Sequence, residues 1–293
     1  MAEKEFKTID EQIELLKSRG LCIPDEAAAG SFLLRNNYYR VSGYSLTLRN
    51  HDVFYPKATF QNVMDIYLFD HEFRHLILHF LECIEVSLKS VYAYEFTKVH
   101  GSTGYLDASY FTDAVQHANT LQKIEEQKNK RHPHEAYLKH FMDDLGQDIP
   151  LWACVDLMTI SGISFLYKIS EEPIKKAVAA HYGLTKNTGH LILGGFMHSM
   201  TIIRNLCAHG SRLFNRLFEQ KPSLNKKEQT LLIVNSDGTK DNAHLYGFIL
   251  VMRRLLTANE FAEFKQRLML LTEKYSFVSM KYYGFRDDWK SQL

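Results

Sequence analysis

The stretch TFQNVMDIYLFDHEFRHLILHFLECIEVSLKSVYAYEFTKVH, residues 59–100, contains neither glycine nor proline. Its apolar residues recur at intervals of three and four, the spacing of one face of an α-helix. They are Val63, Met64, Tyr67, Phe80, Leu81, Ile84, Leu88 and Val91. Such a long pattern predicts one long helix, or two helices joined by a kink. Because the same spacing dominates the rest of the chain, the predicted fold class is all-α.

Shorter helices are predicted on both sides of this stretch. Thr8 and Glu11 form a capping-box pattern before a helix that ends at Gly20, and Pro24 opens a second helix that ends at residues 36–37. These two helices predict an N-terminal hairpin. The later predicted helices cover 114–130, 134–145, an apolar stretch that follows Pro150 and stops near 161–162, 190–218, 243–256 and 260–275. A short strand at 231–234 and a turn at 235–238 are also predicted.

The predicted helix ends and turns divide the chain into three parts. They are an N-terminal helical hairpin over residues 1–50, a helical domain over 51–220 and a C-terminal helical extension over 221–293. The polar, proline-containing segment 221–227 marks the second boundary.

Composition narrows the class of protein. The chain has 293 residues, 45% of them hydrophobic and 24% charged, as in ordinary globular proteins. A net charge of +1 gives no overall basic field but leaves room for a local basic cleft. Cys22, Cys83, Cys154 and Cys207 are far apart and predict reduced thiols. Since neither a secretory signal pattern nor a run of about 18 uncharged apolar residues is found, a soluble cytoplasmic protein without a membrane span is predicted.

Polar and cationic residues are concentrated in the segment 204–216, RNLCAHGSRLFNR. On a continuous helix, at about 100° per residue, seven residues, six of them polar or cationic and one a small alanine, share a sector of about 140°. These seven are Arg204, Asn205, Ala208, His209, Arg212, Asn215 and Arg216. The leucines of the segment occupy the remaining side, where they can pack. Gly210 could break the helix locally and change these angles.

Such a face suits the cleavage of RNA by attack of the 2′-hydroxyl group, which needs no metal. Histidine titrates near neutrality and can move protons, while arginine stays charged and can stabilise the phosphorane. One histidine in each chain cannot easily serve as both base and acid, which predicts a homodimer with two facing motifs. The spacing alone is weak, because Arg74 and His79 share it.

The residues Arg204-Asn205-x-x-Ala208-His209-x-x-Arg212-Leu213-x-Asn215 resemble the signature of the Abi-like abortive-infection proteins (AbiD/AbiF type) of the HEPN superfamily. Further ordered blocks carry the resemblance over nearly the whole chain. They are 12–16, 19–21, 37–44, Phe69-Asp70 with Arg74, Ile84-Glu85, Pro150-x-Trp152, Gly162, and Gly284-Phe285 with Trp289. Two departures are Gly210, where the family often has histidine, and Phe214, where it often has tryptophan.

The resemblance implies a HEPN-type helical bundle with metal-independent endoribonuclease activity that leaves 2′,3′-cyclic phosphate ends. It implies a role in phage defence or as the toxin of a toxin–antitoxin-like system, without a cofactor. The implied catalytic residues are Arg204, Asn205 and His209, and the RNA-binding residues predicted beside them are Arg212, Asn215 and Arg216. Implied partners are an RNA substrate, a cognate small non-coding RNA or an antitoxin, and a second copy of the chain. Asp70 and Arg74 are interpreted as packing or salt-bridge positions.

Three alternatives remain open at this point. A non-catalytic RNA-binding protein could use the same basic face, and a helical scaffold would use none of it. His71-Glu72-Phe73-Arg74-His75 matches H-E-x-x-H, in which His71 and His75 would bind zinc and Glu72 would act as base. With 14 histidines in the chain, such a match can arise by chance.

Three tyrosines near the N-terminus have two possible roles, base stacking and core packing. Tyr38, Tyr39 and Tyr44 could stack on bases, but in a helical protein with 16 tyrosines they are predicted to lie in the core. Arg40 beside them is predicted to be a buried ion-pair partner, with a phosphate contact as the alternative.

Overall fold

The computed structural model describes residues 5–293. Within this range the chain forms fourteen α-helices and one two-stranded hairpin, which confirms the all-α class. The helices are α1 (Ile9–Ser18), α2 (Glu26–Asn36), α3 (Tyr38–Ser42), α4 (Phe60–His100), α5 (Ala114–Arg131), α6 (Ala136–Lys139), α7 (Leu151–Cys154), α8 (Ile160–Ile169), α9 (Glu172–His181), α10 (Gly189–Ala208), α11 (Lys226–Gln229), α12 (Tyr246–Leu255), α13 (Ala258–Lys274) and α14 (Trp289–Gln292). The antiparallel strands are β1 (Arg49–Asn50) and β2 (Val53–Phe54).

The long helix α4 is the centre of the bundle. Thr59 and Asn62 cap its first turn reciprocally, and Gly101, with a φ of 78°, follows its last residue. It is one continuous helix, so the first of the two predicted forms is confirmed. Helices α7, α8, α9, α10 and α13 pack against it, and its side chains at Phe69, Phe73 and Leu88 are completely buried.

Helix α10 returns alongside α4 and also packs against α8, α9 and α12. Within residues 5–293 it is the one helix that is long and apolar enough to cross a membrane by length and composition. Its side chains at Leu193, Phe196, Met200 and Ile203 are buried in the core of the bundle. The hydropathy of α10 is therefore accounted for by packing inside the bundle.

The two ends of the chain are also helical. The capping box of Thr8 and Glu11 is present, and α1 packs against α2. The cap of α2 is Asp25, so this helix begins two residues later than Pro24 predicts. At the other end, α13 lies on α4, with Phe264 edge-on to Phe80. The division at residues 50 and 220 stays a prediction.

Three predicted segments differ from the structure. The apolar stretch after Pro150 does not stop at 161–162: Thr159 caps a new helix there, accepting from the amide of Gly162. The strand at 231–234 is reduced to a single bridge between Val234 and Lys240, although the turn after it is present. The helix over 190–218 is wrong beyond Ala208.

Candidate active site

Helix α10 ends in a capped C-terminus. His209 is the capping residue, and Gly210 has a left-handed φ of 64°. The amide of Gly210 donates to the carbonyl of Cys207 at 3.0 Å, and that of Ser211 to Leu206 at 2.8 Å. This pair of bonds is a Schellman motif, for which glycine is the favoured residue. A Cβ atom at position 210 would lie 3.4 Å from the Arg40 guanidinium, so it is the left-handed conformation that would strain a histidine there.

The single helical face predicted for 204–216 is therefore not formed. Arg204, Asn205 and His209 lie on the last turn and cap of α10, whereas Arg212, Asn215 and Arg216 lie in the irregular segment 211–218. This segment folds back against residues 43–44, α4 and residues 282–283 instead of continuing the helix. The amide of Asn215, which has a φ of 48°, donates to the carbonyl of Tyr282 at 2.9 Å.

One buried carboxylate holds the segment in place. Asp70 on α4 has no exposed surface and accepts from the amides of Phe214 at 2.8 Å and Leu213 at 3.2 Å. The hydroxyl groups of Tyr44, at 2.8 Å, and Tyr283, at 3.0 Å, also donate to it. Arg74, one turn along α4, completes the set as its ion-pair partner. The predicted salt-bridge role of Asp70 and Arg74 is thus confirmed.

Burial dominates the electrostatics of this cluster. It raises the pKa of Asp70 above its ordinary value even though Arg74 and the hydroxyl and amide donors act in the opposite direction. For Arg74, burial is the largest single effect and lowers the pKa, but the charge of Asp70 and the contacts with Tyr44 together outweigh it and raise the pKa. Burial also raises the pKa of Cys207 to about 12, so its thiol is no nucleophile at neutral pH. The cluster is a structural anchor beneath the exposed end of α10.

The groups on the exposed side of this anchor are cationic or neutral. The guanidinium of Arg204 lies 3.5 Å from the side-chain oxygen of Asn205, and His209 is exposed. Arg212 donates to the carbonyl of Phe214 at 2.7 Å, and Arg216 lies 5.8 Å from the ring centre of Phe218.

Arg40 comes to the same place from α3. It donates to the carbonyl of Gly210 and, at 3.2 Å, to the hydroxyl of Tyr67. Within the part of the chain that the structure describes, none of the four guanidiniums of Arg40, Arg204, Arg212 and Arg216 has a carboxylate oxygen within 4.0 Å. The charges of these side chains remain free to bind an anion such as phosphate.

The family model of the Abi-like proteins matches residues 31–215, more than half of the chain. The chain belongs to the Abi-like protein family. The match includes α3, α4, α10 and both partners of the Asp70–Arg74 ion pair, and it leaves out residues 1–30 and 216–293. Searches of curated proteins and of solved structures found no match. Membership of the family suggests a role in abortive infection, which is a form of defence.

In this Abi-like protein the position of Arg40 corrects the prediction of a buried ion pair. Its partners are a carbonyl and a hydroxyl group, and it reaches the motif across 170 residues of sequence. Tyr44 is completely buried, as predicted, and Tyr38 packs against the core. The prediction is wrong for Tyr39, because its side chain is 84% exposed on α3.

The H-E-x-x-H segment of this Abi-like protein is arranged differently from a zinc site. The rings of His71 and His75 are 4.4 Å apart, but Glu72 accepts from Tyr275 at 2.6 Å and Lys274 at 2.7 Å. Among residues 5–293 no three His, Cys, Asp or Glu side chains form a group that could hold a metal. Burial raises the pKa of Glu72, but Lys274 and Tyr275 outweigh this and lower it, as expected for a salt-bridged carboxylate.

Replacing Glu72 by glutamine is expected to lower the free energy of unfolding by at most about 1 kcal/mol, since the pair with Lys274 is partly exposed and screened by solvent. Urea denaturation at about pH 7 measures this change. We expect any hydrolytic activity of the protein to be unchanged in this variant. A zinc hydrolase that used Glu72 as its base would instead lose its activity almost completely.

Proposed function

We propose that this Abi-like protein is a metal-independent HEPN-type endoribonuclease that acts inside the cell in defence against phage or as a toxin. The observation that supports this most is the exposed end of α10. There Arg204 and His209 stand beside Arg40, Arg212 and Arg216, with no carboxylate pairing these arginines within the described residues. A cationic site of this kind favours a phosphodiester over a neutral or cationic substrate.

The proposed reaction is an in-line transesterification of RNA. The 2′-hydroxyl group loses its proton and its oxygen attacks the adjacent phosphorus, forming a P–O2′ bond. The P–O5′ bond then breaks, and the leaving oxygen receives a proton, which gives a 2′,3′-cyclic phosphate and a 5′-hydroxyl end. His209 transfers one of these protons, and Arg204 stabilises the charge that develops on the phosphorane. Asn205 orients the Arg204 guanidinium, which it meets at 3.5 Å.

Two groups are required in this reaction, one that removes a proton and one that supplies it. A homodimer with facing motifs is one way to provide both, with one His209 from each chain. Arg212, Asn215 and Arg216 would bind the RNA on either side of the cut. Because unrestrained cleavage of cellular RNA is toxic, we propose that a cognate small non-coding RNA or a protein antitoxin restrains the enzyme.

The purified full-length protein is expected to cleave single-stranded RNA in the presence of EDTA and to leave 2′,3′-cyclic phosphate ends. Chelation removes no group that the mechanism needs, so the rate with EDTA should equal the rate without it. Gel analysis of an end-labelled RNA, with phosphatase treatment of the products before and after acid opening of the cyclic ends, measures both properties.

Three outcomes separate the alternatives. Cleavage that EDTA abolishes would point to a metal enzyme and contradict the proposal. Tight binding of RNA without any cleavage by the wild type would favour the non-catalytic RNA-binding protein. Absence of both binding and cleavage would leave a helical scaffold. For the binding arm, filter binding at several salt concentrations is suitable, because phosphate contacts give affinity that falls steeply with salt.

A further inference from the structure

The exposed surface between α4 and α10, on the side of Arg204, is called the groove here. The contact between the two helices fixes which other side chains lie in it. The buried thiol of Cys207 lies close enough to Arg74 for the guanidinium charge to act on it. The two helices run in opposite directions, because the C-terminal end of α10 lies at Asp70, near the start of α4. The carbonyl of His190, in the first turn of α10, accepts from Tyr167 of α8, and Ser170 at the end of α8 pairs with Tyr92 in the second half of α4.

Two histidines of α4 emerge on the same side as Arg204. Two antiparallel helices are related by a twofold axis that is perpendicular to the plane containing both helix axes. Residues of the two helices that have the same offset from a pair of facing residues therefore lie on the same side of that plane. The facing residues are Arg74 and Cys207. His71 lies three residues before Arg74, and Arg204 lies three residues before Cys207, so both side chains are turned by about 60° toward the same side. His75 follows Arg74 by one residue, as Ala208 follows Cys207. Both histidines are exposed.

Arg40 supplies an independent link between His71 and the motif. It donates from Nε to the hydroxyl of Tyr67, which lies one turn before His71 on the same face of α4, and from Nη2 to the carbonyl of Gly210, next to His209. The positive charge of Arg40 also acts directly on His71. His71 therefore lies beside the end of α10, in the groove that Arg40 bridges.

We propose that His71 is the second proton-transfer group of the site, so that one protein chain holds both histidines. The inference rests on the proposed ribonuclease function. His71 removes the proton of the 2′-hydroxyl group, the 2′-oxygen attacks the phosphorus, and His209 gives its proton to the leaving 5′-oxygen. The His75 ring, 4.4 Å from that of His71, passes the proton taken up by His71 to solvent.

The surroundings of His71 suit the role of a base. Its pKa lies below the ordinary value, mainly because of partial burial, and then because of the charges of His75, Arg74 and Arg40. Glu72 acts in the opposite direction, but its carboxylate is turned to Lys274 and Tyr275 of the α13 side. From α10, Arg204 lies on the same side of the helix pair. The imidazole is thus neutral at neutral pH and ready to accept a proton.

The experiment compares the rates of RNA cleavage of purified wild type, His71→Ala, His71→Gln and His209→Ala between about pH 5 and pH 9. We expect His71→Ala to cleave about a hundredfold more slowly at neutral pH. The wild-type rate should fall on the acid side with a midpoint below 6.5, the ordinary value for histidine. This inflection should vanish in both His71 variants. His79→Ala, an exposed histidine two turns further along α4, is the matched control and should behave as wild type.

The possible results are distinct. If wild type cleaves RNA and His209→Ala does not, while His71→Ala is as fast as wild type with the same acid limb, the inference is wrong and the proposed function stands. If wild type does not cleave RNA, the proposed function itself fails. Far-ultraviolet circular dichroism and the melting temperature of each variant exclude a loss of fold, which a glutamine at this exposed position is not expected to cause.

Discussion

Replacing Asp70 by asparagine is expected to lower the free energy of unfolding by about 3–5 kcal/mol, the cost of leaving one member of a buried ion pair without its partner. Arg74, buried beside it, would keep its charge and lose its counter-ion. The amides of Leu213 and Phe214 would lose the charged acceptor that holds segment 211–218. Urea denaturation followed by circular dichroism measures the change, and RNA cleavage should fall with it because the cap of α10 loses its support.

The matched control is Glu82→Gln, which makes the same carboxylate-to-amide change at an exposed position of α4 and should stay within about 0.5 kcal/mol of wild type. A second variant tests the cause. Exchanging the whole pair, Asp70→Asn with Arg74→Met, removes the stranded charge and should recover part of the loss. If Asp70→Asn alone unfolded at the wild-type urea concentration, the carboxylate would not be the anchor of the segment.

Helix α4 shows which parts of this fold are visible in a sequence. Its unbroken apolar period over residues 59–100 was predicted and is found as one helix. The capping pair at Thr59 and the glycine after the last residue are local signals of the same kind, although they were not used in the prediction. The capping box at Thr8 was predicted and is found. Local signals of this kind depend on residues three or four apart, so a single sequence is enough to show them.

The end of α10 could not be predicted from local sequence. Its apolar period continues through Leu213 and Leu217, which favoured a helix as far as 218. The helix stops because Gly210 takes a left-handed conformation and because Asp70, 143 residues earlier, binds the amide of Leu213. A contact over that distance leaves no local pattern. Tyr283, outside the part of the chain that matches the family, completes the same cluster from a fourth segment, after α4, residues 213–214 and Tyr44.

The candidate site divides in the same way. Arg204, Asn205 and His209 were selected from their own short segment and do lie together on one turn and its cap. Arg212, Asn215 and Arg216 were grouped with them by a helical wheel that the structure does not follow. Arg40 was interpreted as an ion-pair partner because its neighbours in sequence are tyrosines, whereas its neighbour in space is Gly210. Only the folded chain shows that a fourth arginine borders the site.

His209→Ala is expected to lower the rate of RNA cleavage by about 10²–10⁴, the usual loss on removing one proton-transfer group. The side chain is exposed, so its removal should leave the stability of the protein unchanged. Initial rates on a defined single-stranded RNA, at saturating substrate, measure the change. The matched control is His198→Ala, an exposed histidine on the same helix about three turns earlier, which should retain the wild-type rate.

A substrate with sulfur in place of the bridging 5′-oxygen tests whether His209 is the acid that protonates the leaving group. When sulfur replaces the bridging 5′-oxygen, the thiolate leaves without being protonated, because its conjugate acid is far stronger than an alcohol. His209→Ala should then cleave this substrate nearly as fast as wild type does. Arg204→Ala should not be rescued, because the charge on the phosphorane still needs its guanidinium. Equal losses for His209→Ala on both substrates would show that His209 does not protonate the leaving group, and the acid would have to be sought among the other histidines of the groove, with His75 first.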